Sequence, residues 1–312
     1  MARRICRVGF VGLGRMGLPM ASRLAAAGYE VRGFDTAEPA RAAFQRAASQ
    51  PAAVRPAASG AVDTLAEAAD GAEAVVLMLP DSNVIRAVAV DDGLLSAMRP
   101  GALLIDMSSS EPAKTEALAA VAEARAVHVV GAPVSGGVKG AADGTLTIMA
   151  GGPGPAVDGS RPILDLLGSR VIHVGDAPGA GHALKALNNL LAAITMLATS
   201  EAMLAGQRLG LDPAVMLDVI NTSTGRSFAT ERNWPDHVLP CGFDSGFAMR
   251  LMLKDTLIGL GVEQSAGTGA ALAETAAGMW RRAASWLPAG ADHTEIVRWL
   301  EQTGQGAAGN TE

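Results

Sequence analysis

The stretch VGFVGLGRMGLPMASRLAAAGYEVRGFD, Val8 to Asp35, decides the fold. It reads as an apolar β-run, a glycine-punctuated turn, an alanine-rich helix and a second β-run that ends in an acid. Gly12, Gly14 and Gly17 stand in G-x-G-x-x-G spacing, directly after the first strand and at the opening of the helix. Each glycine has its own task. Gly12 permits the tight turn, Gly14 lets the backbone approach a pyrophosphate, and Gly17 lets helix and strand pack closely. The pyrophosphate then sits on the helix N-terminus, where unpaired amides and the helix dipole favour an anion. Alone the fingerprint is a weak signal, met equally by a plain glycine-rich turn. Its place in a βαβ unit, with Asp35 closing the second strand at the expected distance, is the context that marks dinucleotide binding. The residues of that turn, Gly12, Leu13, Gly14, Arg15, Met16 and Gly17, are therefore the first candidate cofactor-binding set.

Working outward, β-branched runs alternate with helical patterns over the first 175 or so residues. Strands are predicted at 7–11, 30–34, 74–79, 102–106, 127–130, 146–150 and 171–174, with helices at 16–26, 39–48, 62–69 and 111–124 between them. Such alternation predicts an α/β domain with a parallel sheet covered by helices on both faces. The segment SQPAAVRPAAS, 49–59, reads as a surface loop. After Gly181 no strand pattern returns and helical periodicity dominates. A long helix is predicted over 182–206. A second is opened by Asp212 as N-cap with Pro213 at N1, and others cover 250–262, 271–284 and 292–301. The reading is an N-terminal Rossmann domain, 1–177, and an all-α domain, 178–312, whose last residues from about 303 form a frayed tail.

Composition bounds the partners. With 49% apolar residues the chain has a real core, and 25 basic against 31 acidic residues, a net of −6, supply no phosphate footprint for nucleic acid. Cys6 and Cys241 show no CxxC or disulfide-framework spacing, as expected in a reducing, cytoplasmic compartment. No signal-peptide pattern opens the chain. The most apolar long window, 190–204, is interrupted by Thr195, Thr199, Ser200 and Glu201 and reads as too short and too polar for a membrane span. The five histidines form no HxxxH or HExxH set, so no metal site is expected.

Asp35 can accept hydrogen bonds from ribose hydroxyls and would repel a 2′-phosphate. The following Thr36, Ala37 and Glu38 offer no arginine to clamp one, and Arg32 should point away within its strand. NAD is therefore favoured over NADP. The plainer reading is that Asp35 only caps the turn into the next helix.

Four stretches, the first within the segment already quoted, carry a resemblance. GFVGLGRMGLPMA (Gly9 to Ala21), GAPVSGG (Gly131 to Gly137) and GAGHALKALNN (Gly179 to Asn189) are similar in order and spacing to the motifs of the β-hydroxyacid dehydrogenases, and FAMRLMLKD (Phe247 to Asp255) resembles that family's F-x6-KD segment. The resemblance spans roughly residues 5–300. It implies a Rossmann domain followed by a helical domain, and NAD(P)-dependent interconversion of a small 3-hydroxy acid with its semialdehyde or keto acid. It also implies a homodimer or homotetramer built through the helical domain. By the same resemblance, Lys185 is the catalytic acid/base and Asn189 orients substrate. Ser135, Gly136 and Gly137 bind its carboxylate, while Leu79, Pro80, Ser109 and Lys254 lie against the cofactor. The family often reads D-A-P-V-S-G-G, and here the first residue is Gly131, a departure that bears on local geometry and substrate fit.

The chemistry also has a reading without the family. A hydride transfer from a carbinol needs a group to take the hydroxyl proton. Lys185 and Asn189, at i and i+4, share a helix face whose flanks Leu184, Leu187, Leu190 and Leu191 are placed to pack on neighbours. An ammonium beside a desolvated cleft is pushed toward the neutral amine that a base requires. The bland alternative is that Lys185, Asn188 and Asn189 form the solvated stripe of an amphipathic helix. His182, one turn earlier, is a rival base, but reads better as a packing or capping group. GAPVSGG serves equally as a plain turn or, through its backbone amides and Ser135, as a carboxylate nest. Lys254 alone would be an ordinary surface lysine. In NTSTGRSF, 221–228, Arg226 is either a structural tie or a second carboxylate contact, and Phe228 is placed to line an apolar pocket. Imine reductases share the fingerprint and fold, but generally lack a lysine matching Lys185. 6-Phosphogluconate dehydrogenases need a much longer helical domain. A non-catalytic dinucleotide-binding scaffold would have lost the lysine.

Overall fold

A computed structural model describes residues 5–49 and 59–308. Most of the predicted 49–59 loop therefore lies outside the described residues. The chain divides into two compact units, Met1–Lys185 and Ala186–Glu312. The sequence places the boundary at 177/178, whereas this division falls inside a helix that runs unbroken across it.

In the first unit the strands are β1 (Arg7–Val11), β2 (Glu30–Phe34), β3 (Gly60–Ala61), β4 (Ala74–Leu77), β5 (Leu103–Asp106), β6 (His128–Gly131), β7 (Val134–Ser135), β8 (Leu146–Gly151) and β9 (Gly168–Gly175). Their order is β3-β2-β1-β4-β5-β6-β8-β7, with β9 paired to β8. Pairing is parallel from β3 through β6. The expectation of a wholly parallel sheet needs correcting at its far end, because β8 runs antiparallel to both β6 and β7. The connection 136–145 between β7 and β8 is shorter than a parallel crossover requires.

Both sheet faces are buried, which explains the nearly continuous apolar runs. Val8 and Phe10 of β1, Ala74 and Val76 of β4, and Leu103 and Ile105 of β5 point into one core. Their neighbours Val11, Val75, Leu77 and Leu104 enter the core on the other face. β1 lies between β2 and β4, so the strand order reverses beside it. The crevice at its C-terminal end is the place where such sheets bind ligands.

The second unit is helical. The long helix Ala180–Arg208 enters it, followed by helices Pro213–Asn221, Met249–Ala266, Ala271–Trp286 and Ile296–Ala308. Asp212 caps as predicted, its Oδ1 accepting from the Ala214 amide at 2.8 Å. The segment Ala229–Val238 is π-helical, and the Leu239 amide reaches back five residues to the Trp234 carbonyl. Trp234, Trp280, Trp299, Met196 and Ile296 form the core. The last helix continues to Ala308, where the sequence predicts a tail from about 303; residues 309–312 lie outside the described residues. The long helix, read from sequence as too short and polar for a membrane, does have the length and composition to cross one. Half of its most apolar window is buried within the fold.

Candidate active site

The nucleotide turn is built as its glycines require. Gly12 has φ of +97°, and a Cβ there would overlap the Met78 carbonyl oxygen and stand 3.2 Å from Leu79 Cδ2. A Cβ at Gly17 would overlap the Gly12 carbonyl and lie 3.1 Å from Phe10 Cε1. Gly14 is different: no heavy atom lies within 4 Å of its Cβ position. Two glycines thus permit the turn and one leaves open space beside it, the cradle a pyrophosphate needs. Asp35 follows β2 and accepts from the Leu13 amide through Oδ2 and from the Ala37 amide through Oδ1, each at 2.8 Å. A carboxylate offers about four lone-pair sites, so capacity remains for two ribose hydroxyls. The capping and ribose readings of Asp35 are therefore compatible. Arg32 is committed to Glu30 and Asp70, as expected of a side chain that points away. Sequence reading missed Arg41, whose guanidinium donates to the Asp35 carbonyl at 2.8 Å and the Thr36 carbonyl at 3.3 Å. Its position six residues past the acid, in the first turn of the helix Glu38–Ala48, was the available signal.

The loops after β4 and β5 are tied together. The Leu79 amide donates to Ser108 Oγ at 2.9 Å, and Pro80 follows it. Ser108 and Ser110 are buried, the first donating to Asp106 through its amide and the second through its hydroxyl, and Ser109 between them is half-exposed. At β7 Ser135 pairs with Thr147 of β8 and is half-buried; Gly136 and Gly137 are exposed, both with positive φ.

On the long helix Asn188 is exposed, as a solvated stripe would have it, but the other two members of that stripe are not. Lys185 and Asn189 are each only 8% exposed, while Leu191 is 62% exposed and Leu184 and Leu187 also face outward. The stripe reading fails for Lys185 and Asn189, and so does the expectation that these three leucines pack inward. Only Leu190 does so. In the second unit, Asn189 Nδ2 donates to Asp255 Oδ2 at 2.6 Å and Asn189 Oδ1 accepts from Asn188 at 3.1 Å. Asp255 is buried, and Lys254 Nζ lies 3.7 Å from its other oxygen. The two helices approach closely because residue 259 is glycine: a Cβ there would stand 2.7 Å from Leu190 Cβ and 2.8 Å from the Ala186 carbonyl. Asp255 thus fixes the amide of Asn189, a partnership sequence spacing could not reveal across 66 residues. Arg226 pairs with Glu231 at 3.5 Å, and Phe228 is 66% exposed.

Residues 7–175 match the family described as the NAD binding domain of 6-phosphogluconate dehydrogenase. Residues 179–300 match that described as NAD-binding of NADP-dependent 3-hydroxyisobutyrate dehydrogenase. The chain is 37% identical over 258 residues to 2-(hydroxymethyl)glutarate dehydrogenase of Eubacterium barkeri, covering 82% of this chain and 81% of that enzyme. It is 38% identical over 266 residues to 3-hydroxyisobutyrate dehydrogenase of Pseudomonas aeruginosa, covering 83% and 85%. A solved structure of Mycobacterium tuberculosis 3-hydroxyisobutyrate dehydrogenase with L-serine superposes with a TM-score of 0.86. It is 33% identical and covers 95% of this chain and 99% of that one.

Proposed function

The chain belongs to the β-hydroxyacid dehydrogenase family, and on that premise we propose that Lys185 is its proton-handling group, with Asn189 orienting the substrate. The protein is an NAD(P)-dependent oxidoreductase acting on the hydroxyl of a small hydroxy acid. The bound nicotinamide supplies the hydride acceptor or donor. What remains for the protein is to hold the two reactants and to move one proton. Lys185 takes the hydroxyl proton in oxidation and returns it in reduction. Its burial on a helix whose neighbouring Leu184, Leu187 and Leu191 face outward is the observation that carries this assignment. Asn189, held by Asp255, presents its remaining N–H to the reacting oxygen. Ser135, Gly136 and Gly137 take the carboxylate. Gly12 to Gly17 with Asp35 hold the dinucleotide; Leu79, Pro80, Ser109 and Lys254 complete its surroundings. Asp35 favours NAD over NADP.

The substrate class follows from chemistry shared by the relatives. 2-(Hydroxymethyl)glutarate, 3-hydroxyisobutyrate and L-serine all present a hydroxymethyl group on the carbon bearing a carboxylate. A 2-substituted 3-hydroxypropionate is therefore the expected substrate. Homo-oligomerisation through the helical unit is supported by its exposed Leu209, Leu211, Val215 and Val219.

The test is Lys185→Ala, assayed by NADH formation across these acids with NAD and NADP in parallel. Loss of the acid/base should lower kcat by about 10²–10⁴ with NADH binding retained. Unchanged turnover by a variant that still binds NADH would refute the role of Lys185.

A further inference from the structure

Within the first unit, four segments of the candidate site meet at one buried pair, Asp106 and His182. His182 stands in the first turn of the long helix, three residues before Lys185, and is 1% exposed. Its Nδ1 lies 3.0 Å from Thr115 Oγ1, and its Nε2 lies 3.5 Å from Asp106 Oδ2. Asp106 is equally buried. Its Oδ1 accepts from the Ser108 amide at 3.0 Å and its Oδ2 from Ser110 Oγ at 2.7 Å. Ser108 in turn accepts from the Leu79 amide. One carboxylate therefore shapes the loop that carries Ser109, reaches the Leu79–Pro80 segment, and contacts the turn that carries Lys185.

The imidazole has room only because residue 131 lacks a side chain. A Cβ on Gly131 would stand 2.9 Å from both Cε1 and Nδ1 of His182, and would also overlap the Pro178 carbonyl. The departure from the family motif at Gly131 is thus occupied by His182, and the two residues form one steric unit.

We propose that His182 is a positioning residue for the reaction: held between Asp106 and Thr115 over Gly131, it sets the rotation and height of the helix turn bearing Lys185 against the cofactor-side loops. This rests on the acid/base role of Lys185 given above. His182 is not itself a catalytic residue. Both ring nitrogens face Thr115 and Asp106 in a site closed to solvent, so the ring acts through the lysine. An apolar side chain would fill the same space, but two polar partners in fixed directions also orient the ring and hence the turn.

The experiment compares His182→Ala, His182→Gln and Thr115→Val in the full chain. Each is measured as kcat per NADH-binding site, with sites counted by NADH fluorescence titration, alongside KM for 3-hydroxyisobutyrate and the Kd for NADH. Displacing a reacting group by about 1 Å costs up to roughly 10²-fold, so His182→Ala should lower kcat per site by about 10- to 100-fold. The Kd and KM should stay within about threefold, since the fully buried ring offers no surface to either ligand. His182→Gln, which keeps a donor and an acceptor, should recover part of the loss. Thr115→Val, similar in shape but without the hydroxyl, should reproduce a smaller loss of the same kind.

Unchanged kcat per site in His182→Ala would overturn the proposal, as would losses that track only the number of NADH sites. If His182→Ala does not fold, Thr115→Val and His182→Gln decide in the same way. Lys185→Ala separates the two readings. If that variant turns over normally, the acid/base role fails; if it is inactive while every His182 and Thr115 variant keeps its kcat, only the positioning role fails.

Discussion

Gly14 and Gly17 are separated by one helical turn's worth of chain, yet their replacement by alanine should have opposite consequences. At Gly17 a Cβ would overlap the Gly12 carbonyl oxygen and stand 2.9 Å from its carbonyl carbon and 3.1 Å from Phe10 Cε1. Two of those atoms are backbone and cannot rotate away. Overpacking of this kind costs about 1–3 kcal/mol, and the upper end is expected where backbone must shift. At Gly14 nothing lies within 4 Å and φ is not positive, so Gly14→Ala should fold normally. It should even gain about 0.4–1 kcal/mol from reduced freedom of the unfolded chain. Its cost falls on the ligand: the methyl occupies the open space where a phosphate must approach the amides. Losing one or two charge-assisted hydrogen bonds at about 1.5–3 kcal/mol each weakens NADH binding by roughly tenfold to a hundredfold or more. Urea unfolding and NADH fluorescence titration on both variants make the comparison. If Gly14→Ala bound NADH with unchanged Kd, or lost stability as Gly17→Ala does, the placement of the pyrophosphate at this turn would be wrong.

Asp35→Asn keeps an acceptor for the Leu13 or Ala37 amide but removes the charge. With Arg41 at the same turn, the kcat/KM ratio of NAD to NADP should fall by roughly fivefold or more, from about 1–4 kcal/mol of charge repulsion removed; an unchanged ratio would exclude Asp35 as the discriminator. Burial of Asp292 acts to raise its pKa, but hydrogen bonds from His293, Thr294 and Ser245 outweigh it and hold the carboxyl well below its ordinary 3.8. Because the folded value is the lower one, this stabilisation is fully present above about pH 4–5 and fades as pH falls through the acid range. Asp292→Asn should then destabilise by about 1.5–3 kcal/mol at pH 7 and progressively less from pH 4 to 3 in urea unfolding; a gap independent of pH would contradict the assignment. Val215 and Val219 share one exposed helix face, so the double change to lysine should dissociate an oligomer that buries them, each valine contributing about 1.5–3 kcal/mol. Light scattering decides, and a monomeric wild type would remove the premise.

Strands and glycines were legible because their signals are local. The run 74–77 (AVVL) is apolar throughout because both faces of the sheet are covered there, and the runs 7–11 and 30–34 end where β1 and β2 end although Arg7, Glu30 and Arg32 interrupt their apolar pattern. The two-residue strands β3 and β7 carry no period long enough to read, and the antiparallel turn of the sheet at β8 depends on how a short connection folds back. The π-helical stretch 229–238, with Pro235 inside it, likewise breaks the period on which helix reading depends.

The sequence named a set of candidate site residues but carried no sign of their environments. On the long helix, Leu184, Leu187 and Leu191 have as good an apolar pattern as Ala186, Leu190 and Ala193, yet only the second group is buried. Periodicity identifies a helix without saying which of two apolar faces meets the core, so the burial of Lys185 and Asn189 had no signature in the residues around them. What fixes that face lies far away in sequence: Gly259 admits Leu190, Asp255 binds Asn189, and Gly131 admits His182. Two of these three are glycines, whose contribution is the space they leave rather than any group they carry. The buried face of this helix, which carries Lys185 and Asn189, is therefore set largely by small residues on its neighbours. Restoring a side chain at Gly131 should disturb Lys185 through His182, although residue 131 itself carries no reactive group.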